Sequence, residues 1–138
     1  MTPDTSFWQA MMELLATTPV IIDRPKGSAH PRYPEMIYPF DYGYLENTIA
    51  GDGGGIDLWL GSLNTVMNKD SAKTLTGILC TFDTLKRDAE INPARFVQKE
   101  DLAAKLLLGC IEEDIQTIKV FYQEMHTLYI PNSMVVTT

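Results

Sequence analysis

A chain of 138 residues, 45% hydrophobic and 21% charged, has the length and balance of one folded domain covering 1–138. Eighteen acidic against eleven basic side chains leave a formal charge of −7, which repels a phosphate backbone and argues against a nucleic-acid partner. No apolar run nears the ~18 residues of a membrane span. The N-terminus also lacks the basic-then-apolar order of a signal peptide, so a cytoplasmic protein without membrane contact is expected.

Phe7, Met11, Leu14 and Leu15 recur at helical spacing, which predicts a short amphipathic helix over 6–16 with Thr5 or Ser6 as its cap. The β-branched run 18–23 reads as a strand that ends in the turn-rich stretch 24–28. Pro34 and Pro39 exclude a helix from 33–44 and predict extended, interrupted backbone there. Further strands are predicted over 56–60, 74–82 and 105–110, the last central because it is almost wholly apolar. Between the last two, 92–104 reads as an inserted segment with a short helix, capped by Asn92 and started by Pro93. Ile111, Ile115, Ile118, Phe121, Tyr122 and Met125 share one helical face over 111–125, and a strand over 127–130 follows. Many short strands with few helices predict a mainly β, α+β domain: a small barrel packed by one or two helices. Cys80 and Cys110 sit in apolar runs and are expected as buried, reduced thiols.

The most informative stretch is Tyr38-Pro39-Phe40-Asp41-Tyr42-Gly43-Tyr44, which leads into a glycine-rich turn. Asp52 and Asp57 leave that turn five residues apart, and Asp83 and Asp88 repeat the spacing. Asp52 and its glycines also suit a plain turn. Carboxylates that converge disfavour one another's ionised forms unless a cation neutralises them. Mg²⁺ takes a few such oxygens and keeps waters for a phosphate substrate. Lys26, Arg32 and Tyr42 add groups that can hold phosphate oxygens, completing the inventory of a metal-assisted phosphoryl hydrolase. The bland readings are a loop residue for His30, a surface residue for His126, core for Trp8, Met11 and Trp59, and a helix start for Glu112-Glu113-Asp114.

These residues resemble the soluble Mg²⁺-dependent inorganic pyrophosphatases of the β-barrel type. The carriers are Ile22-Asp23-Arg24-Pro25-Lys26-Gly27-Ser28, Arg32-Tyr33, the 38–44 strand, Asp52-x4-Asp57, and Gly77-Ile78-Leu79 leading to Asp83-x4-Asp88, strongest over 22–61. The resemblance implies an OB-like five-stranded barrel with flanking helices. It also implies hydrolysis of pyrophosphate, or a related phosphoanhydride, with several Mg²⁺ ions. Asp23, Asp52, Asp57, Asp83, Asp88 and Glu90 would be metal ligands, Arg32 and Lys105 phosphate contacts, and Tyr42 a site hydroxyl. Lys105 and Glu90 take these places when 92–104 is closed up; direct spacing puts Glu90 at the lysine instead. A homo-oligomer is left open.

The chain also departs from the pattern. Gly54 replaces the middle acid that orients or deprotonates the attacking water, and Pro34-Glu35-Met36-Ile37 replaces a longer hairpin carrying an acid and an arginine. Met125-His126 replaces a Tyr-Lys pair. Two main expectations follow: a compact, weakened hydrolase, or a catalytically degenerate relative kept for binding or assembly. A nucleic-acid-binding OB-like module is a third, opposed by the charge.

Overall fold

The computed structural model describes residues 4–49, 55–63, 74–82 and 102–134. Helix α1 (Thr5–Thr17) opens the fold, and its cap is Asp4, whose Oδ1 accepts the Phe7 N–H at 3.0 Å. Thr18 leaves the helix in extended backbone (φ −120°, ψ 126°) because Pro19 disfavours a helical residue before it. Strands β1 (Val20–Arg24), β2 (Asp41–Leu45), β3 (Asp57–Leu60), β4 (Leu75–Phe82) and β5 (Leu102–Leu108) come next, then helix α2 (Glu112–Phe121) and strand β6 (His126–Pro131).

The strands form one six-stranded sheet in the order β1-β2-β3-β5-β4-β6. Among the described strands only β3 and β5 pair in parallel; every other neighbouring pair is antiparallel. The sheet is open, with β1 and β6 at its two edges, so the expected five-stranded closed barrel is replaced by a six-stranded mixed sheet. The difference arises at β6, which pairs with β4 and forms the edge of the sheet opposite to β1.

Alternation divides the side chains between two faces. One face carries Leu45, Leu58, Leu60, Ile78, Leu106 and Leu108, covered by Trp8 and Leu15 of α1. The other carries Tyr42, Trp59, Leu79 and Leu107, covered by Ile115 and Ile118 of α2 and by Tyr122 just beyond it. Trp8 and Trp59 are core, as the sequence suggests, and β5 is interior, with Leu107 and Leu108 fully buried. β5 starts earlier than expected. Leu102, Ala103 and Ala104 pair with Phe82, Thr81 and Cys80, so they belong to the sheet, while the rest of the inserted segment, 92–101, lies outside the described residues.

The acidic start of α2 is structural. Asp114, 4% exposed, accepts the Ile111 N–H at 3.0 Å, the Ser62 N–H at 2.8 Å and the Ser62 hydroxyl at 2.7 Å. One carboxylate thereby caps the helix and ties it to the turn after β3. Both cysteines are free thiols, Cys110 buried and Cys80 half-buried.

Candidate functional site

The α2 face of the sheet gathers the polar residues that matter. Gly43, between Tyr42 and Tyr44, permits this, because a Cβ there would overlap the Ile21 carbonyl of β1. With β1 and β2 so close, Tyr42 lies opposite Arg24 on one side and Trp59 on the other. Its hydroxyl donates to Asp57. Burial is the main reason the Tyr42 phenol is held far above its ordinary value, with Tyr122 and Asp57 adding to it. At neutral pH Tyr42 is therefore a fixed donor and no base.

Asp57 and Lys105 each stand one residue before the paired positions Leu58 and Leu106 of the parallel strands β3 and β5. Their side chains fall on the same face as Trp59 and Leu107, one strand spacing apart. Lys105 is 8% exposed, and its Nζ lies 5.6 Å from the centre of the Tyr122 ring. Tyr122 accepts the Trp59 Nε1–H at 3.2 Å, and its phenol is held well above its usual value, first by burial, with Tyr38 and Asp57 adding. Asp57, Lys105 and the three buried aromatic residues thus form one contiguous group.

Arg24 joins this group from β1. Its guanidinium donates to the Tyr38 hydroxyl at 2.6 Å and lies 5.7 Å and 5.9 Å from the Tyr38 and Tyr42 ring centres. That hydrogen bond, with Tyr38, Asp23 and Tyr42 nearby, keeps the guanidinium charge favoured against partial burial. Sequence reasoning missed Arg24 because simple alternation puts it on the Ile22 face. The pairing register slips between Ile22 and Arg24, where Asp23 is the extra residue, and the slip turns Arg24 onto the Tyr42 face. The turn residues after Asp23 hid a strand that continues one residue further.

Asp23 itself is exposed at that bulge, and Arg32 is exposed on the following loop. Lys26 is a turn residue: its backbone N–H donates to Asp41 at 2.8 Å, and its Nζ lies 5.8 Å from the Phe40 ring centre. His126 is exposed on β6, paired with Phe82. Asp52, Asp83, Asp88, Glu90 and Gly54 lie outside the described residues, so the convergence of the two aspartate pairs is not a feature of the described structure. Among the described residues no group of three or more His, Cys, Asp or Glu side chains could hold a metal. The topology does bring the start of β3, the end of β4 and the start of β5 to one end of the sheet, so Asp57 lies at the end from which the 83–101 connection departs.

No protein-family model matches this chain, and no curated protein matches it.

Proposed function

We propose that the protein hydrolyses pyrophosphate, or a related phosphoanhydride, with Mg²⁺, as a divergent relative of the pyrophosphatases it resembles. The open sheet with helices on both faces would then be a variant of that family's OB-like barrel. The observation that carries the reading is Asp57: a strand-start carboxylate held by the Tyr42 hydroxyl, beside Lys105, with Arg24 against the same tyrosine. Asp23, Asp52, Asp57, Asp83, Asp88 and Glu90 offer only hard oxygen donors, the type Mg²⁺ takes. Bound there, Mg²⁺ would acidify a coordinated water and offset phosphate charge. The protein's own contribution is placement. Tyr42 fixes one Asp57 oxygen, buried Lys105 sets the local field and acts as a positioning residue, and exposed Arg32 takes phosphate oxygens.

Gly54, in place of a water-orienting acid, supports a second reading, a relative that binds its ligand without turnover. Phosphate release from Mg²⁺-pyrophosphate by the purified protein, with and without chelator, separates the two. Chelator-sensitive release supports the hydrolase. No release, together with Mg²⁺-pyrophosphate raising thermal stability, supports the binding relative.

A further inference from the structure

β6 is the outermost strand on the side away from β1, and β4 pairs with its inner edge from Phe82↔His126 to Gly77↔Pro131. The ladder continues one step further, where the Asn132 N–H donates to the Thr76 carbonyl at 2.9 Å. In an antiparallel pair, residues that bond inward alternate with residues that bond outward. Asn132 bonds inward, so Ile130, Leu128 and His126 do too, and Thr127, Tyr129 and Pro131 turn their backbone groups to the outer edge. Pro131 has no N–H to offer there. At the other end of the strand, the Met125 N–H is spent on the Tyr122 carbonyl at 2.8 Å. Thr127 and Tyr129 are thus the outward residues with both a donor and an acceptor to give.

The side chains of this edge are uncharged. His-Thr-Leu-Tyr-Ile-Pro holds no Asp, Glu, Lys or Arg, in a chain of net charge −7. Leu128 lies opposite half-buried Cys80 on the α1 face and is 53% exposed. β1, at the other edge, carries the usual guards against strand addition: Pro19 and Pro25 bracket it, and Asp23 and Arg24 sit at its bulge. On β6 that part falls to Pro131 alone.

We propose that β6 is a self-pairing edge, to which a second copy of this chain adds its own β6 antiparallel about a two-fold axis through Leu128. In that register Thr127 faces Tyr129 of the second copy and exchanges both hydrogen bonds with it, and Tyr129 faces Thr127 in return. The same patch serves both copies, so the pair is closed. Sliding by two residues one way sets the Thr127 carbonyl against Pro131, which has no donor. Sliding the other way sets the Tyr129 carbonyl against Met125, whose N–H is taken. On the axis the two Leu128 side chains meet as a non-hydrogen-bonded pair, the closer kind, and on the α2 face Thr127 lies against Tyr129. An uncharged strand lets two acidic chains approach without opposing like charges across it. One strand edge buries less than the ~1,200 Å² of a standard interface, so the dimer dissociates on dilution.

The test is sedimentation equilibrium of the full chain from micromolar to millimolar concentration. The weight-average mass should rise from 15.5 kDa toward twice that value. Thr127→Pro removes an outward N–H, leaves the ladder to β4 intact and should hold the mass at the monomer. Leu128→Lys sets like charges together on the axis and should raise the dissociation constant about tenfold; it decides the matter if circular dichroism shows that Thr127→Pro does not fold. Cross-linking reads the register. In a Cys80→Ser background, Leu128→Cys places two thiols on the axis within the ~4.4–6.8 Å between Cα atoms that a disulfide spans. It should form an intermolecular disulfide at least about tenfold faster than Val120→Cys, a control at a 63% exposed position of α2. A mass fixed at the monomer overturns the proposal, and is the result expected if the edge takes a strand of another protein instead. Unchanged association in either folded variant, equal cross-linking of the two cysteines, or growth past the dimer overturns it as well.

Discussion

Asp57 begins β3 with one carboxylate oxygen already taken by Tyr42, and this arrangement decides what each residue can contribute. The hydroxyl cannot ionise at neutral pH, so it orients Asp57 and leaves proton transfer to other groups. In Asp57→Asn the acceptor survives but the charge is lost. Mg²⁺-dependent phosphate release should fall by ~10²–10³ or more, the scale seen when one charge-stabilising group is removed. The stabilisation conferred by Mg²⁺ and pyrophosphate should disappear with it, and retention of that stabilisation would mean the ligand binds away from Asp57. Gly54 bears on the same step from the sequence side. Gly54→Asp returns a carboxylate to the position where the resembled family has one, and steady-state rates should rise. Equal rates in the two proteins would show that water placement does not limit turnover.

At the scale of elements, the sequence was clearest where periodicity and burial agree. The apolar run of β5 announced an interior strand, and the spacing of Ile111, Ile115 and Ile118 announced α2, which forms over a shorter span. What periodicity hid was a change of face. A one-residue slip at Asp23 carries Arg24 from one face to the other, and no alternation pattern registers an extra residue. The Asp114 cap was half legible: an acidic first turn is a helix-start signal, but its tie to Ser62 joins positions 52 apart in sequence. Asp114→Ala removes the acceptor of three partly buried hydrogen bonds and should cost about 1–3 kcal/mol by chemical denaturation. A loss under about 0.5 kcal/mol, the range of ordinary surface substitutions, would show that water replaces the carboxylate. The inserted segment gives a second test. Deleting 92–104 removes Leu102, Ala103 and Ala104 from β5, whereas deleting 92–101 leaves all three pairings to β4 intact. The longer deletion should unfold at lower denaturant; matching midpoints would show that these pairings contribute nothing.

For the molecule as a whole, covering both faces of the sheet with helices buries phenols and a thiol that would ionise at lower pH if they were exposed to water. The open sheet itself was not legible in the sequence, because a count of short strands carries no information about whether the first and last of them meet. The pH response follows from burial. Burial raises Tyr42 and Tyr122 well above their ordinary value of 10.0, and it pushes the Cys110 thiol up from 9.0 to about 12, with Asp114 adding. Below about pH 8 the two phenols and nearly all of the thiol are protonated in both the folded and unfolded chain, so their contribution to stability is fully present. Above that, the unfolded chain releases protons that the folded protein keeps, and stability falls as pH rises. The slope is up to ~1.4 kcal/mol per pH unit for each group while it stays protonated in the fold. Denaturation midpoints measured from about pH 8 to about pH 11 should therefore decline with increasing steepness, first through Cys110 and then through the two tyrosines. Tyr42→Phe removes one of these groups. It should lower stability at neutral pH, where Asp57 loses its donor, and flatten the alkaline decline. A decline of equal steepness in Tyr42→Phe and the parent would mean that Tyr42 ionises as freely in the fold as in the unfolded chain, and its bond to Asp57 would then be too weak to orient the carboxylate.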